Sequence, residues 1–363
     1  MAPLCKLASD ETKRLTDTAG QLITSPANMV ELQNSFYVKN VERIRAQLPR
    51  QGHPTATLQE SMEVCPHSRP AGLTFTCVTP QHIDNIIQKL KNSKACGLDN
   101  IDTYIMKLVR PYIVPAVTYI VSLSLTTLTF LKAYKVAKVV TLYKGKDSPG
   151  RAPKSYRPVA LLPITSKVLE RVVHTQLMFY MDQHQLWHPQ YHTYRSHHST
   201  TTSMLSMHDS WEEAAENGKR AGMTMVDRSA AFDVVNIELL LETCRIFNFS
   251  REAEQWMWSY LTERSQCTTI YGSISSILPL VAGVPQGSIL GPALYTLFTC
   301  DFPEVVHESN CPHNPQNRPP REQTSYRAMC TECGSLVCYT DDSTYTVTAN
   351  SEAELSVKMS SKF

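Results

Sequence analysis

The sequence has almost no excess of charge: 35 Lys and Arg stand against 33 Asp and Glu, which leaves +2 with the histidines neutral. So close a balance excludes a protein held to its partner by bulk charge, and leaves charge distribution as the informative quantity. No signal peptide is expected ahead of the cysteines. The 11 cysteines are an odd number, scattered from Cys5 to Cys338, which disfavours a disulfide framework and fits reduced thiols in an intracellular protein. No clean membrane span is present either. The longest apolar stretch, Tyr112 to Leu131, carries frequent Ser and Thr, contains Pro115 and runs into a basic strand-like segment, so it reads as a buried helix and no membrane partner is expected.

What is there describes a globular chain: 42% hydrophobic and 19% charged residues over 363 positions, enough for two or three subdomains. The positive charge is concentrated in one place. Lys132, Lys135, Lys138, Lys144, Lys146, Arg151, Lys154 and Arg157 are opposed in that interval only by Asp147. Either a solvated basic face or a grip for phosphates accounts for such a cluster.

Residues 1–74 form an extension of mixed character with a helical pattern over Asn28–Leu48. Thr79 followed by Pro80 marks a helix start, with Ile83, Ile86, Ile87 and Leu90 on one face. A polar loop, Lys91–Ile101, leads to an apolar helix over Thr103–Val109 and then to the Tyr112–Leu131 helix. The β-branched run Ala137–Lys144 ends in a Gly/Pro loop and returns through Ser155–Leu162, a hairpin that brings Lys144, Lys146, Lys154 and Arg157 to one end. Edge protection by lysine is the alternative reason for those charges. A helix begins at Thr165, and a segment rich in His, Tyr, Ser and Thr spans Gln190–Thr202, where adjacent His197 and His198 lack the spacing of a metal pair. A helix over Thr201–Asn217 precedes the strand Ala221–Asp227 and the helix Ile237–Cys244.

Three segments hold candidate chemistry. Asp227 ends a strand where the chain turns toward a helix, a position equally suited to a ligand-binding group and to a turn residue. Ala282–Pro292 places Gln286 in a Gly/Pro loop before the apolar helix Ala293–Thr299, either to admit a ligand to the backbone or simply as a loop. Tyr339-Thr340-Asp341-Asp342 sits between two strand-like runs; two adjacent carboxylates repel unless a cation neutralises them, though Asp is also a common turn residue. Together Asp227, Asp341 and Asp342 form a set able to hold two Mg²⁺ ions, with Mn²⁺ as a substitute, for phosphoryl transfer. Cys311, His313, Cys330 and Cys333, around a Pro- and Asn-rich insertion over residues 301–329, offer zinc ligand types, but Cys-Pro-His lacks the usual spacing and reduced thiols are the preferred reading.

Several of these segments occur in the order found in the reverse transcriptase domain of non-LTR (LINE-type) retrotransposons, which the chain resembles over about residues 75–360. Lys94–Ile101 is similar to that family's Lys-Ser-x-Gly-x-Asp-Gly-Ile, and Ala137–Lys144 with Tyr156–Leu162 and Lys167–Glu170 to its fingers segments. Asp227–Asp233 resembles Asp-Leu-Ser-Ala-Ala-Phe-Asp, Gly283–Gly291 resembles Gly-Val-Pro-Gln-Gly-Ser-x-Leu-Gly, and Tyr339–Asp342 the Tyr-x-Asp-Asp signature.

The resemblance implies an α+β, right-handed polymerase: fingers over 75–200, and a palm over 201–363 whose antiparallel sheet is backed by helices. It implies Asp227 and Asp341 as metal ligands supported by Asp342, Phe232 beneath the sugar of an incoming deoxynucleoside triphosphate, Gln286 against that nucleotide, and Lys144 and Arg157 on its triphosphate. RNA template and DNA primer are the implied partners, with a nuclear location for an active element. Arg228 stands where the family has an apolar residue, and either weakens cation binding at Asp227 or points away; Thr340 replaces Ala or Val. The chain stops at Phe363, before a thumb, and no endonuclease segment is recognised, so the expectation is a gene fragment or a decayed element, with an inert nucleic-acid-binding relic as the alternative function.

Overall fold

The computed structural model describes residues 15–17, 20–48, 72–145, 151–228, 230–303 and 334–360. In chain order the main elements are β1 (Leu15–Thr16), β2 (Leu22–Ile23), α1 (Pro26–Gln47), α2 (Pro80–Lys89), α3 (Thr103–Leu108), α4 (Arg110–Thr126), β3 (Val136–Tyr143) and β4 (Tyr156–Leu161). Then follow α5 (Ile164–Gln183), α6 (Thr200–Glu216), β5 (Arg220–Asp227), α7 (Ile237–Ile246), α8 (Arg251–Leu261), β6 (Ser265–Ile270), β7 (Ser273–Ile274) and β8 (Leu278–Pro279). The described chain ends with α9 (Gly291–Phe298), β9 (Ser335–Tyr339), β10 (Asp342–Ala349) and α10 (Glu352–Ser360). Helices and strands are mixed, in keeping with the α+β expectation.

Local signals explain most boundaries. The Thr79 hydroxyl accepts from His82 N at 3.3 Å, capping α2, and Ser199 with Thr202 forms a reciprocal capping box on α6. One expectation needs correction. The Tyr112–Leu131 helix stops at Thr126, because the Thr126 and Thr127 hydroxyls bond back to Leu123 O (3.2 and 2.7 Å) and Leu128 takes a left-handed φ of 55°. Among the described residues no helix is long and apolar enough to cross a membrane.

The large core is built on the helices, with Phe130 at its centre. Phe130 is fully buried and meets Tyr260 and Trp256 edge-on at 4.9 and 5.8 Å. Trp256 and Tyr260 lie one turn apart on α8 and stack at 5.6 Å, while the indole N–H of Trp256 donates to Ser124 Oγ at 3.1 Å.

The strands form two larger sheets. One runs β4-β3-β6-β7, with β8 beside β6; β3 and β4 form the expected antiparallel hairpin, and β3 pairs with β6 in parallel. The strand β6 carries no apolar alternation and is not evident from the sequence. It is made by α1, whose buried Asn34 accepts from Gln266 Nε2 (3.0 Å) and Thr268 Oγ1 (3.1 Å) and donates to Ser276 O (2.9 Å). This sheet joins strands from the 75–200 and 201–363 segments by main-chain hydrogen bonds. The other sheet, β5-β10-β9, is antiparallel throughout. Lys146, residues 304–329 of the insertion and the cysteines Cys311, Cys330 and Cys333 with His313 lie outside the described residues.

Removal of the Phe130 ring tests the core. Phe130→Ala is expected to lower the unfolding free energy by about 3–5 kcal/mol, read from the urea midpoint, while an unchanged midpoint would place the core elsewhere.

Candidate active site

The three-stranded sheet brings together residues more than a hundred positions apart. In the β5–β10 register Asp342 lies directly opposite Asp227, and Asp342 also pairs with Tyr339 across a turn made of Thr340 and Asp341. Opposed residues of an antiparallel pair project from the same face, so Asp227 and Asp342 share one side of the sheet and Asp341 adjoins them in the turn. Asp227 and Asp342 are exposed and Asp341 is half-buried. Partial burial, then the charges of Asp341 and Asp227, raise the Asp342 pKa above the ordinary carboxylate value, and Arg228 offsets part of that rise.

Three oxygen donors under mutual repulsion suit a hard cation such as Mg²⁺ or Mn²⁺ rather than zinc. Mg²⁺ retains waters and substrate oxygens, so it does not require the carboxylates to converge. Among the described residues the group of ligand atoms lying within 4.8 Å of one another is a different one, His208, Asp209 and Glu212, all exposed on α6.

The turn that carries Asp341 is held from two sides. Thr340 takes a φ of 61° at the first turn position, where a tight hairpin turn favours glycine, and a β-branched side chain there is strained. Its amide donates to Thr193 Oγ1 at 2.6 Å. From the other side Arg228 donates to Asp341 O (3.2 Å), Thr340 O (3.3 Å) and Ser343 Oγ (2.8 Å). The guanidinium also lies 4.4 Å from the centre of the Phe302 ring and 5.6 Å from that of Tyr295. Of the two outcomes left open for Arg228, the structure therefore has the side chain committed to the main chain of the hairpin. The sequence offers no signal for this, because its partners lie 112 to 115 residues away.

A second wall is formed by the turn after Asp227 and the Gly283–Gly291 loop. Phe232 is half-buried and stacks on Tyr295 of α9 at 4.7 Å. Val284 N donates to Phe232 O (2.8 Å), Gly283 N to Val235 O (3.0 Å), and Gln286 Nε2 to Asp233 Oδ2 (2.9 Å). Glycine is required twice: a Cβ at Gly283 would sit 2.6 Å from Asp233 O and one at Gly287 2.5 Å from Ala160 O, both at positive φ. Asp233 does not cap the following helix; Asn236 does, accepting from Glu238 N at 3.0 Å. Burial pushes the Asp233 pKa up to about 6, and the bond from Gln286 opposes the rise.

The loop is anchored beneath by a residue placed in the sequence only within a fingers-like segment. Glu170 of α5 is fully buried and accepts from Ile289 N (2.7 Å), Leu290 N (3.4 Å) and Ser166 Oγ (2.9 Å). Burial raises its pKa, against the pull of Arg264 and these hydrogen bonds. Lys144 and Arg157 are exposed at the β3–β4 hairpin. That hairpin meets the loop through Ala160 N, which donates to Gln286 O at 3.0 Å, and this main-chain link rather than a side-chain contact relates the two cations to the site.

Two outcomes follow from these contacts. A folded-state pKa of Asp233 raised from 3.8 to about 6 means that its contribution to stability is present at the acid end and falls as pH rises through that window. Asp233→Asn keeps the acceptor for Gln286 and removes the buried charge, so above pH 6 the variant should gain on the order of 1–3 kcal/mol relative to the parent, read by denaturation at pH 4 and pH 7. Equal differences at both pH values would contradict this. Arg228→Met should keep the packing but release the hairpin carbonyls, costing about 1–3 kcal/mol and raising the Asp342 pKa further in a carboxylate NMR titration; no movement of either quantity would show that Arg228 does not hold the turn.

The family model described as reverse transcriptase (RNA-dependent DNA polymerase) matches residues 144–363. The chain is 32% identical over 232 residues to the RNA-directed DNA polymerase from mobile element jockey of Drosophila melanogaster, covering 64% of this chain and 25% of that protein. It is 28% identical over 229 residues to the probable RNA-directed DNA polymerase from transposon BS (62% and 25%), and 26% identical over 248 residues to that from transposon X-element (68% and 27%), both of the same fly. The chain thus spans about a quarter of the length of the curated relatives it matches. With its family model matched over more than half of its length, the chain belongs to the reverse transcriptase family, as a LINE-type reverse transcriptase domain.

Proposed function

We propose that this domain catalyses RNA-directed DNA synthesis, adding deoxynucleotides to the 3′-hydroxyl of a DNA primer on an RNA template, with residues 75–200 as fingers and 201–363 as palm. The observation that carries the reading is the β5–β10 register, which puts Asp342 opposite Asp227 with Asp341 in the adjoining turn. These three carboxylates would hold two Mg²⁺ ions, or Mn²⁺ in their place. When bound, the ions supply Lewis-acid neutralisation of the triphosphate and of the attacking primer oxygen.

The protein's own part is placement. Phe232, fixed by its stack on Tyr295, is a rigid ring able to bear on the sugar of the incoming nucleotide and exclude a 2′-hydroxyl. Gln286, held by Asp233, borders the same nucleotide. Lys144 and Arg157 lie exposed on the hairpin that is hydrogen-bonded to the Gln286 loop through Ala160, where their charges can be set against phosphate. Arg228 is held on the hairpin through its Nε and Nη2 donors to Asp341 O, Thr340 O and Ser343 Oγ. RNA template, DNA primer and deoxynucleoside triphosphates are the partners this reading requires, and a nuclear site of action follows for an active element.

Primer extension on an RNA template is the test. Asp341→Asn should reduce extension by about 10²-fold or more, as expected when charge stabilisation in the transition state is removed. Phe232→Ala should admit ribonucleotides. Extension indifferent to Asp341 would defeat the polymerase reading, and salt-sensitive RNA binding with no extension would favour the inert relic instead.

A further inference from the structure

The His- and Tyr-rich segment 188–198 is not used by the chemistry above, yet it is built onto the catalytic hairpin. Cys338 N donates to Gln190 O (2.9 Å), His192 N donates to Cys338 O (3.1 Å) and Leu336 N donates to Gln190 Oε1 (3.2 Å), so that Tyr191 bridges Cys338 in parallel on the outer edge of β9. Tyr191 is buried with Leu336, Cys338, Tyr345 and Val347, and its hydroxyl donates to Thr299 O. Thr193 accepts from the amide of Thr340, in the turn itself. On the far side Arg195 Nη1 donates to His188 O and Tyr191 O, both at 3.1 Å, and closes the segment on itself. The residue between these anchors is Tyr194.

Tyr194 is unlike its neighbours. The residue is 42% exposed although those on either side are fixed to the protein, and its φ of 56° is a left-handed value that a bulky residue rarely adopts. The phenol hydrogen-bonds with the Thr340 side chain, and Asp341 and Tyr339 lie close enough to act on it electrostatically. The edge of β9 is already covered by residues 190–193, so Tyr194 is not needed to shield it. A strained backbone at a site fixed on both sides, presenting an aromatic face beside the catalytic turn, is the arrangement of a ligand contact.

The ligand chemistry is set by the neighbours. A ring with a π-face next to the carboxylates that receive the growing strand suits a nucleobase, and stacking of a base on an exposed aromatic is worth about 1–3 kcal/mol. We propose that Tyr194 contacts the terminal nucleotide of the primer, stacking against its base or sugar and holding the 3′-end at Asp341. This rests on the polymerase reading of the carboxylate site. Tyr194 is then a primer-binding residue for which neither the carboxylates nor the Gln286 loop can substitute.

The probe is a recessed DNA primer annealed to RNA, carrying 2-aminopurine either at the primer 3′-end or several nucleotides inside it. Binding of the parent protein should change fluorescence at the terminal position, Tyr194→Phe should retain that change, and Tyr194→Ala should abolish it. In parallel, Tyr194→Ala should weaken primer–template binding about tenfold, the equivalent of ~1.4 kcal/mol, and raise KM for primer–template more than it lowers kcat. A merely structural Tyr194 would lower the unfolding midpoint without distinguishing the two probe positions. A terminal signal equal in parent and Tyr194→Ala overturns the inference while leaving extension, and so the polymerase reading, intact. A Tyr194-dependent terminal signal in a protein that never extends the primer defeats the polymerase reading and keeps the contact; no binding of either probe defeats both.

Discussion

The site depends on one alignment, the antiparallel register of β5 with β10. Because side chains alternate along a strand, a slip by a single residue would turn either Asp227 or Asp342 to the opposite face and separate the carboxylates. The register therefore has to be fixed by more than ladder hydrogen bonds. At the turn it is pinned by Arg228, which follows Asp227 on one strand and donates to both residues of the turn that precedes Asp342 on the other. Like charges brought together on one face are unfavourable, and a cation fixed behind the turn lets the strands stay paired with the acidic face open to ligands.

The same economy governs the second wall. The loop bearing Gln286 has little secondary structure of its own, and is placed by being tied on three sides: to the Phe232 turn through Gly283 and Val284, to β4 through Ala160, and to α5 through Glu170. The glycines are necessary because main chains approach too closely there for a side chain. A buried carboxylate in this role costs desolvation, which is offset in part by the two amides just before α9 and the hydroxyl of Ser166. The β3–β4 hairpin, α5 and the loop before α9 are thereby joined by hydrogen bonds.

What was legible in the sequence is what is encoded locally. Asp-Asp between β-prone runs, a carboxylate at the end of a strand, and a Gly-Val-Pro-Gln-Gly loop can each be read within ten residues, and the hairpin bearing Lys144 and Arg157 announces itself by its β-branched run. Three features were not legible, each for the same physical reason. The strand β6 is buried by the amide of Asn34 more than 200 residues upstream, so its Gln266 and Thr268 look like surface positions. Arg228 reads as a hazard to a cation until its distant acceptors are known. The segment 190–195 has no pattern of its own, since it borrows hydrogen bonds from β9 instead of forming a named strand.

The central claim is that Asp227, Asp341 and Asp342 form one cation site, and Mn²⁺ titration followed by electron paramagnetic resonance addresses it most directly. The exposed His208, Asp209 and Glu212 on α6, whose ligand atoms lie within 4.8 Å of one another, supply the comparison. With primer–template and nucleotide present, Asp227→Asn and Asp341→Asn should each weaken Mn²⁺ binding about tenfold or more, the equivalent of ~1.4 kcal/mol, while His208→Ala leaves it unchanged. Parent-like affinity in both aspartate variants, with loss in His208→Ala, would contradict the account.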